Sequence, residues 1–183
     1  MAAKSKSPIN AGIARMIRVD QAGEYGAARI YAGQLAVLGK SPAAPVLRHM
    51  AEKESEHLED FNRVLVERQV RPTALQPIWH VAGYALGAAT ALMGTKVAMA
   101  CTEAVEDVIV DHYKRQEASL NEQAALGHND PELAALISKA RADESGHRET
   151  ALQEGALEAP AHGPLTATIR AGTRLAIWLS ERV

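Results

Sequence analysis

The chain contains a single cysteine, Cys101, in 183 residues. One thiol excludes a disulfide within the chain and any metal site built from cysteines alone. It also favours a reducing, intracellular environment, because small domains in oxidising compartments commonly carry paired cysteines. We expect Cys101 to be an ordinary core residue.

The chain also lacks a dominant charge. Twenty basic and 22 acidic side chains give a formal net charge of -2, and no lysine or arginine run is long enough for a nucleic-acid surface. The first ten residues are too short and too weakly apolar for a signal peptide. The longest uncharged stretch, residues 72–95, is a poor membrane-spanning helix because prolines and glycines interrupt it. We therefore expect no nucleic-acid partner and no transmembrane helix.

Aromatic residues make up only 4 % of the chain, whereas aliphatic residues recur with helical spacing and no strand pattern competes. This periodicity predicts four long helices and one amphipathic C-terminal helix, at about residues 9–38, 44–70, 95–120, 131–155 and 165–180. Asp130, Pro131 and Glu132 are typical of a helix start. Between the second and third long helices we expect a loop through Pro77 and an apolar segment at residues 81–93. The predicted fold is a single all-α domain over residues 1–183.

Acidic and imidazole side chains interrupt the apolar stripe of every long helix. Residues three or four positions apart share one helix face, so a Glu-x-x-His motif in the second helix and another in the fourth lie where core residues are expected. The first and third helices each place one glutamate in the same kind of stripe. The six residues are Glu24, Glu54, His57, Glu106, Glu144 and His147.

Four buried carboxylates without partners would cost several kcal/mol each. Two divalent metal ions would neutralise them, and oxygen-rich ligation with one imidazole per ion suits iron or manganese. A lone Glu on two helices and Glu-x-x-His on two others is the ligand pattern of ferritin-like di-iron bundles. The order Glu, then Glu-x-x-His, occurs twice along the chain, which indicates an internal duplication of a helix pair.

Other residues near these motifs leave alternatives open. Glu103 lies one turn before Glu106 and is the rival ligand. Asp143 is placed to hydrogen-bond an imidazole as an orienting residue, although a surface aspartate is an equal alternative. Tyr113 and His112 follow Glu106 by about two turns and could line the pocket.

Several segments resemble the demethoxyubiquinone hydroxylases of ubiquinone biosynthesis. They are residues 18–34 (RVDQAGEYGAARIYAGQ), 54–61 (ESEHLEDF), 98–116 (AMACTEAVEDVIVDHYKRQ), 143–147 (DESGH) and 179–182 (LSER). The resemblance covers nearly the whole chain. It implies a ferritin-like four-helix bundle with additional short apolar or amphipathic helices.

The ligand pattern of this family falls on the six residues above and prefers Glu106 to Glu103. It also places Tyr113 and His112 near the metals as catalytic candidates. The chain departs from the family pattern at Glu103, where an apolar residue is expected, and at Gly146.

The resemblance further implies a di-iron monooxygenase. Such an enzyme holds two iron ions, takes dioxygen as co-substrate, and hydroxylates a polyprenylated demethoxyubiquinol. Electrons in this family come from NADH or another reductant, but the chain has no glycine-rich dinucleotide fingerprint and the cofactor-binding residues are unknown.

The substrate implied by this resemblance resides in a bilayer. We therefore expect peripheral attachment to the cytoplasmic side of the cell membrane. The segments at residues 79–93 and 165–178 are the candidate docking surface, with ordinary core or a homo-oligomer interface as the alternative. A lipid-presenting protein of the same pathway is a further expected partner.

Two rival functions use the same fold. A ferritin-like iron-handling or peroxide-detoxifying protein would have the same ligands and no organic substrate. A non-catalytic lipid-binding bundle would have buried acids without stoichiometric iron.

Overall fold

A computed structural model describes residues 10–183. The helices are α1 (Ala11–Leu38), α2 (Ala44–Glu67), α3 (Gln76–Leu92), α4 (Thr95–Ala125), α5 (Pro131–Gln153) and α6 (His162–Ser180), with a 3-10 turn at Ala156–Glu158. No strand occurs between residues 10 and 183. The predicted all-α class is confirmed, whereas a single domain over residues 1–183 stays a prediction.

Local sequence explains where two of the helices begin. The Asn10 side chain caps α1 by accepting a hydrogen bond from the Gly12 N–H at 2.7 Å. Asp130 caps α5 by accepting one from the Leu133 N–H at 3.2 Å, as its position before Pro131 predicts. The predicted start of the first helix at Ile9, and most of the segment expected not to be a signal peptide, lie outside the described residues.

Three predicted helix bounds are wrong because backbone turns, which periodicity does not detect, set the helix ends. α2 ends at Glu67 rather than near residue 70, since Gln69 adopts a positive φ of 55°. α4 runs to Ala125, five residues beyond the predicted end, and stops before Gly127, whose φ is 88°. α6 begins at His162 rather than near residue 165, directly after Ala161 at a φ of 52°.

The segment around Pro77 is helical, which corrects the predicted loop. α3 starts at Gln76 and Pro77 lies in its first turn, where a missing N–H breaks no intrahelical hydrogen bond. α3 lies close against α1. A Cβ added at Gly33 would be 2.2 Å from the Tyr84 carbonyl oxygen, and one at Gly87 would be 1.9 Å from that of Ile30. Only glycine permits this approach of the two backbones.

The arrangement is the ferritin-like bundle that the sequence predicted. α1 pairs with α2, and α4 pairs with α5. α3 covers α1 and α6 covers α4. Each half of the chain therefore consists of a helix pair followed by a third helix that packs on the first. Within residues 10–183, no helix has the length and apolar character needed to cross a membrane.

The bundle interior has an apolar region on either side of a polar centre. One apolar cluster includes Ile17, Phe61 and Ile137, and the other includes Leu47 and Met99. Along α2 the order is Leu47, then the Glu-x-x-His motif, then Phe61, so the motif lies between the two clusters. The same alternation along α1, α4 and α5 brings the polar residues of all four helices to one level.

Candidate metal centre

The six glutamates and histidines selected from the sequence meet at this level of the bundle. α1 and α4 each contribute one glutamate, and α2 and α5 each contribute a glutamate and a histidine. The residues are Glu24, Glu54, His57, Glu106, Glu144 and His147, all at most 5 % exposed. Because i and i+3 lie on one helix face, each Glu-x-x-His motif directs both of its side chains inward.

Their ligand atoms form two overlapping groups of four. In each group, one atom per residue lies within 4.8 Å of every other. The groups are Glu24, Glu54, His57 and Glu144, and Glu54, Glu106, Glu144 and His147. Each offers three carboxylates and one imidazole. Glu54 and Glu144 belong to both groups, so the arrangement fits two metal ions side by side with these two carboxylates within reach of both.

The two imidazoles present Nδ1 to the cluster. His57 Nδ1 lies 3.1 Å from Glu144 Oε1, and His147 Nδ1 lies 3.0 Å from oxygens of both Glu54 and Glu144. The other nitrogen of His57, Nε2, lies 2.9 Å from Asp143 Oδ2. A proton held on Nε2 by this carboxylate leaves the Nδ1 lone pair available to a metal. Asp143 therefore orients His57, on a different helix, rather than its near neighbour His147.

Several carboxylate oxygens in the cluster have no hydrogen-bond donor. Among the described residues, Oε2 of Glu24, both oxygens of Glu54 and Oε2 of Glu106 are buried and accept no hydrogen bond of normal geometry, although His147 Nδ1 lies 3.0 Å from one Glu54 oxygen. Such atoms are costly unless a cation compensates them. Two divalent ions carry four positive charges, which equals the charge of four ionised glutamates. The donor set and its unsatisfied oxygens thus fit a pair of divalent ions of the iron or manganese type.

Two tyrosines hold the lone glutamates in a reciprocal arrangement. Tyr31 of α1 donates to Glu106 Oε1 of α4 at 3.0 Å, and Tyr113 of α4 donates to Glu24 Oε1 of α1. Each tyrosine lies seven residues after the glutamate of its own helix. Tyr113 was expected near the metals. Tyr31 is a site residue that the apolar stripes alone do not reveal, and the repeated Glu-x₆-Tyr spacing is the signal for it.

His112 makes no hydrogen bond or ion pair with the six residues. Its Nε2 lies 3.3 Å from Asp20 Oδ1, an oxygen that also accepts a hydrogen bond from Gln116 Nε2 at 2.7 Å. These residues form a separate buried polar group towards the start of α1. Burial raises the pKa of the Asp20 carboxyl, although the neighbouring His112 opposes the shift.

Glu103, the rival of Glu106, points to α6. Its Oε1 accepts a hydrogen bond from Arg170 Nη2 at 2.5 Å, and Arg170 Nε lies 3.0 Å from Asp107 Oδ2. Three residues turn a helix by about 300°, so Glu103 and Glu106 project about 60° apart. That difference directs only Glu106 towards the centre of the four-helix core.

Without metal, the cluster would retain protons. Burial, with the charges of Glu144 and Glu106, raises the pKa of Glu54 well above its usual value. Burial likewise raises the pKa values of Glu24 and Glu106. Burial would lower the pKa of His57, but the hydrogen bond to Glu144 and the nearby Glu24 carboxylate outweigh it and raise that pKa to about 11.

Glu144 shifts in the opposite direction. Its burial would raise its pKa, but hydrogen bonds from His147 and His57 lower it to about 2. Glu144 is therefore the one carboxylate of the four whose charge the metal-free cluster already stabilises through its own histidines.

We expect metal-free protein to lose stability as pH rises from 6 to 9. Carboxyl groups with raised pKa values bind protons more tightly in the folded than in the unfolded chain, so their stabilising protonation is lost as pH rises through the folded values. His57 acts in the same direction, since its contribution declines between the unfolded pKa of about 6.5 and about 11. The lowered pKa of Glu144 has no effect in this range. Thermal melts of chelated protein measure the trend.

Metal-loaded protein is the control for this trend. Bound cations replace the protons, so its melting temperature is expected to vary less between pH 6 and pH 9. Equal slopes for the chelated and loaded proteins would contradict the assignment of the cluster as a metal centre.

Comparisons with known proteins identify the family of this chain. The family described as "Ubiquinone biosynthesis protein COQ7" matches residues 11–180. A Rhodospirillum rubrum protein named 3-demethoxyubiquinol 3-hydroxylase is 52 % identical over 172 residues, which cover 93 % of this chain and 78 % of the relative. The human mitochondrial protein named NADPH-dependent 3-demethoxyubiquinone 3-hydroxylase is 50 % identical over 94 % of this chain and 79 % of its own length. The chain belongs to the COQ7 family of ubiquinone biosynthesis proteins.

Proposed function

We propose that this protein is a 3-demethoxyubiquinol hydroxylase. It is a di-iron monooxygenase that uses dioxygen to hydroxylate the ring of demethoxyubiquinol in ubiquinone biosynthesis. The observation that carries the proposal is the buried cluster of four glutamates and two histidines. It occurs in a chain about half identical, over more than nine tenths of its length, to proteins named for this hydroxylation.

The six clustered residues would hold two iron ions, and Glu54 and Glu144 belong to both groups of ligands. Bound iron would supply the reduction of dioxygen, which leaves one oxygen atom on the quinol ring and the other in water. Tyr31 and Tyr113 orient Glu106 and Glu24 through their hydroxyl groups. The almost complete burial of the ligands keeps bulk water from the reacting atoms.

An apolar cavity of about 340 Å³ beside the cluster is the proposed quinol site. Its lining includes Gly23 and Val105, the residues that immediately precede Glu24 and Glu106. A Cβ added at Gly23 or Gly26 would meet nothing within 4 Å. These glycines therefore leave space between α1 and α6 that side chains would otherwise fill. Such a cavity suits a flat ring with an isoprenoid tail.

The electron donor is a reduced nicotinamide nucleotide, NADH or NADPH. The names of several relatives, including the human and Dictyostelium discoideum proteins, contain the words NADPH-dependent. The chain has no glycine-rich fingerprint that would locate a binding site for it.

The substrate requires contact with a bilayer, and α3 and α6 are the surfaces suited to it. α3 has no charged residue along its whole length. Its Ile78, Val81 and Leu92 are at least half exposed, as are Leu175 and Trp178 of α6. We assign this apolar face to peripheral docking on the cytoplasmic side of the cell membrane. A lipid-presenting protein of the pathway or a second copy of the chain would compete for the same face.

Iron content distinguishes the two neighbouring glutamates of α4. We expect Glu106→Ala to bind at most one iron per chain, because it removes a carboxylate of the second ligand group. Glu103→Ala is the matched control and should keep two, since Glu103 faces Arg170. Elemental analysis of purified, reconstituted protein measures both. If Glu103→Ala lost iron and Glu106→Ala kept two ions, the assigned ligand set would be wrong.

Filling the cavity should impair turnover and leave iron unchanged. In Gly26→Val the new side chain would occupy space next to α6, and we expect kcat/KM for a demethoxyubiquinol analogue to fall about tenfold or more. The assay supplies iron-loaded protein, NADH and dioxygen, and measures hydroxylated product. Gly163→Val is the control, because Gly163 lies in α6 outside the cavity and a Cβ there also meets nothing within 4 Å.

Two results of this assay would count against the proposal. Wild-type iron-loaded protein that oxidises iron or consumes peroxide, but leaves the analogue intact under several reductants, would favour the iron-handling alternative. Equal losses in Gly26→Val and Gly163→Val would reject the cavity as the quinol site.

Docking through α3 predicts different behaviour for two exposed valines. Val81 on α3 is 66 % exposed and Val66 on α2 is 73 % exposed. We expect Val81→Glu to reduce co-sedimentation with phospholipid vesicles several-fold, because a charged side chain resists insertion among acyl chains. Val66→Glu should bind like wild type. Equal binding by the two variants would reject α3 as the docking surface.

A further inference from the structure

A single hydrogen bond joins α3 to α6. The indole Nε1–H of Trp79 donates to Ser180 Oγ at 3.0 Å. Trp79 is half-buried near the start of α3, and Ser180 is the last residue of α6 and 3 % exposed. Both residues line the apolar cavity. Within residues 10–183 no other hydrogen bond or ion pair links these two helices.

The two helices otherwise belong to different halves of the molecule. α3 packs chiefly on α1, and α6 packs chiefly on α4, while their own backbones do not approach one another. The cavity occupies the gap between them, with Leu86 on one wall and Ala176 and Ile177 on the other. Between α3 and α6 themselves, the gap is therefore spanned by the bond between Trp79 and Ser180 and by whatever fills the cavity.

The first half of α6 is fixed independently. Arg170 is bound to Glu103 at 2.5 Å and to Asp107 at 3.0 Å, both on α4. Beyond Arg170, Gly172 and Thr173 face the cavity, and a Cβ at Gly172 would meet nothing within 4 Å. The second half of α6 thus lacks close packing on its cavity side until Ser180 reaches Trp79.

We propose that the Trp79–Ser180 pair is a latch that closes α3 and α6 around the isoprenoid tail of the bound quinol, and thereby determines affinity for the tail but not for the ring. The proposal rests on the assignment of the apolar cavity as the quinol site. The ring must lie close to the metal cluster, on the side of Gly23 and Val105. The tail then extends through the gap towards the exposed apolar face of α3 and α6, where the latch crosses its path.

A neutral hydrogen bond suits this role. It is weak enough to open when a tail enters or leaves. Its loss should allow the second half of α6, beyond Arg170, to move away from α3. An extended isoprenoid tail makes its contacts with both walls of the cavity, α3 and α6, at the same time. A small ring held against α1 and α4 does not need both walls.

Two variants remove the same bond from opposite sides. Trp79→Phe deletes the donor and Ser180→Ala deletes the acceptor, the latter with almost no change in cavity volume.

Isothermal titration of iron-loaded protein, without reductant, would use two probes: a decyl-tailed benzoquinone and the same ring with no tail. Each variant should weaken binding of the tailed probe about 3- to 10-fold and leave the tail-less probe within about twofold of wild type. Ser119→Ala, a hydroxyl deletion on α4 outside the cavity, should leave both affinities unchanged.

The double variant provides the decisive comparison. If the two side chains act through one bond, combining the changes should add little to either alone. Full additivity, equal weakening of both probes, or an unchanged preference for the tailed probe would overturn the latch. Wild-type protein that binds neither probe would instead refute the quinol site itself. If wild type prefers the tailed probe and Ser180→Ala keeps the same preference, only the latch is rejected.

Discussion

Mutual repulsion among four buried glutamates is the constraint on which the rest of this structure depends. Their carboxylates converge in an interior that gives several of their oxygens no hydrogen-bond donor. Protons or metal ions must compensate the charge, and the surrounding residues favour metal because they hold the ligands in place. Tyr31 and Tyr113 fix one oxygen of each lone glutamate, and Asp143 fixes the tautomer of His57. Apolar clusters on both sides of the site prevent the acids from reaching water.

The duplicated helix pair explains how a short chain achieves this convergence. α1 and α4 each supply a glutamate and a tyrosine seven residues later, and each tyrosine binds the glutamate of the other half. α2 and α5 supply the Glu-x-x-His motifs. The repeat extends to the covering helices, since α3 lies on α1 as α6 lies on α4. The apolar cavity lies where the two covering helices face each other, so the proposed quinol site is at the seam between the two halves.

Much of this was predictable because helical spacing is a strong constraint. Glu54, His57, Glu144 and His147 could be selected from periodicity alone, since a polar residue in an apolar stripe must find compensation. The choice of Glu106 over Glu103 needed the family resemblance, because both lie near the same stripe and only the orientation of α4 separates them. Tyr31 escaped detection since a tyrosine at a core position is ordinary, and its partner lies on another helix. The helix through Pro77 was missed because proline is compatible with both a loop and a first helical turn.

Glu103 illustrates how a buried charge can be compensated within one chain. A carboxylate that is only 3 % exposed would destabilise α4 if left alone. Arg170 on α6 provides the opposite charge, and Asp107 shares it. This ion pair fixes the middle of α6 to α4, two residues before Gly172 in the cavity wall. A carboxylate that is not among the metal ligands therefore still bears on the cavity, because it anchors α6 to α4 directly before the residues that line it.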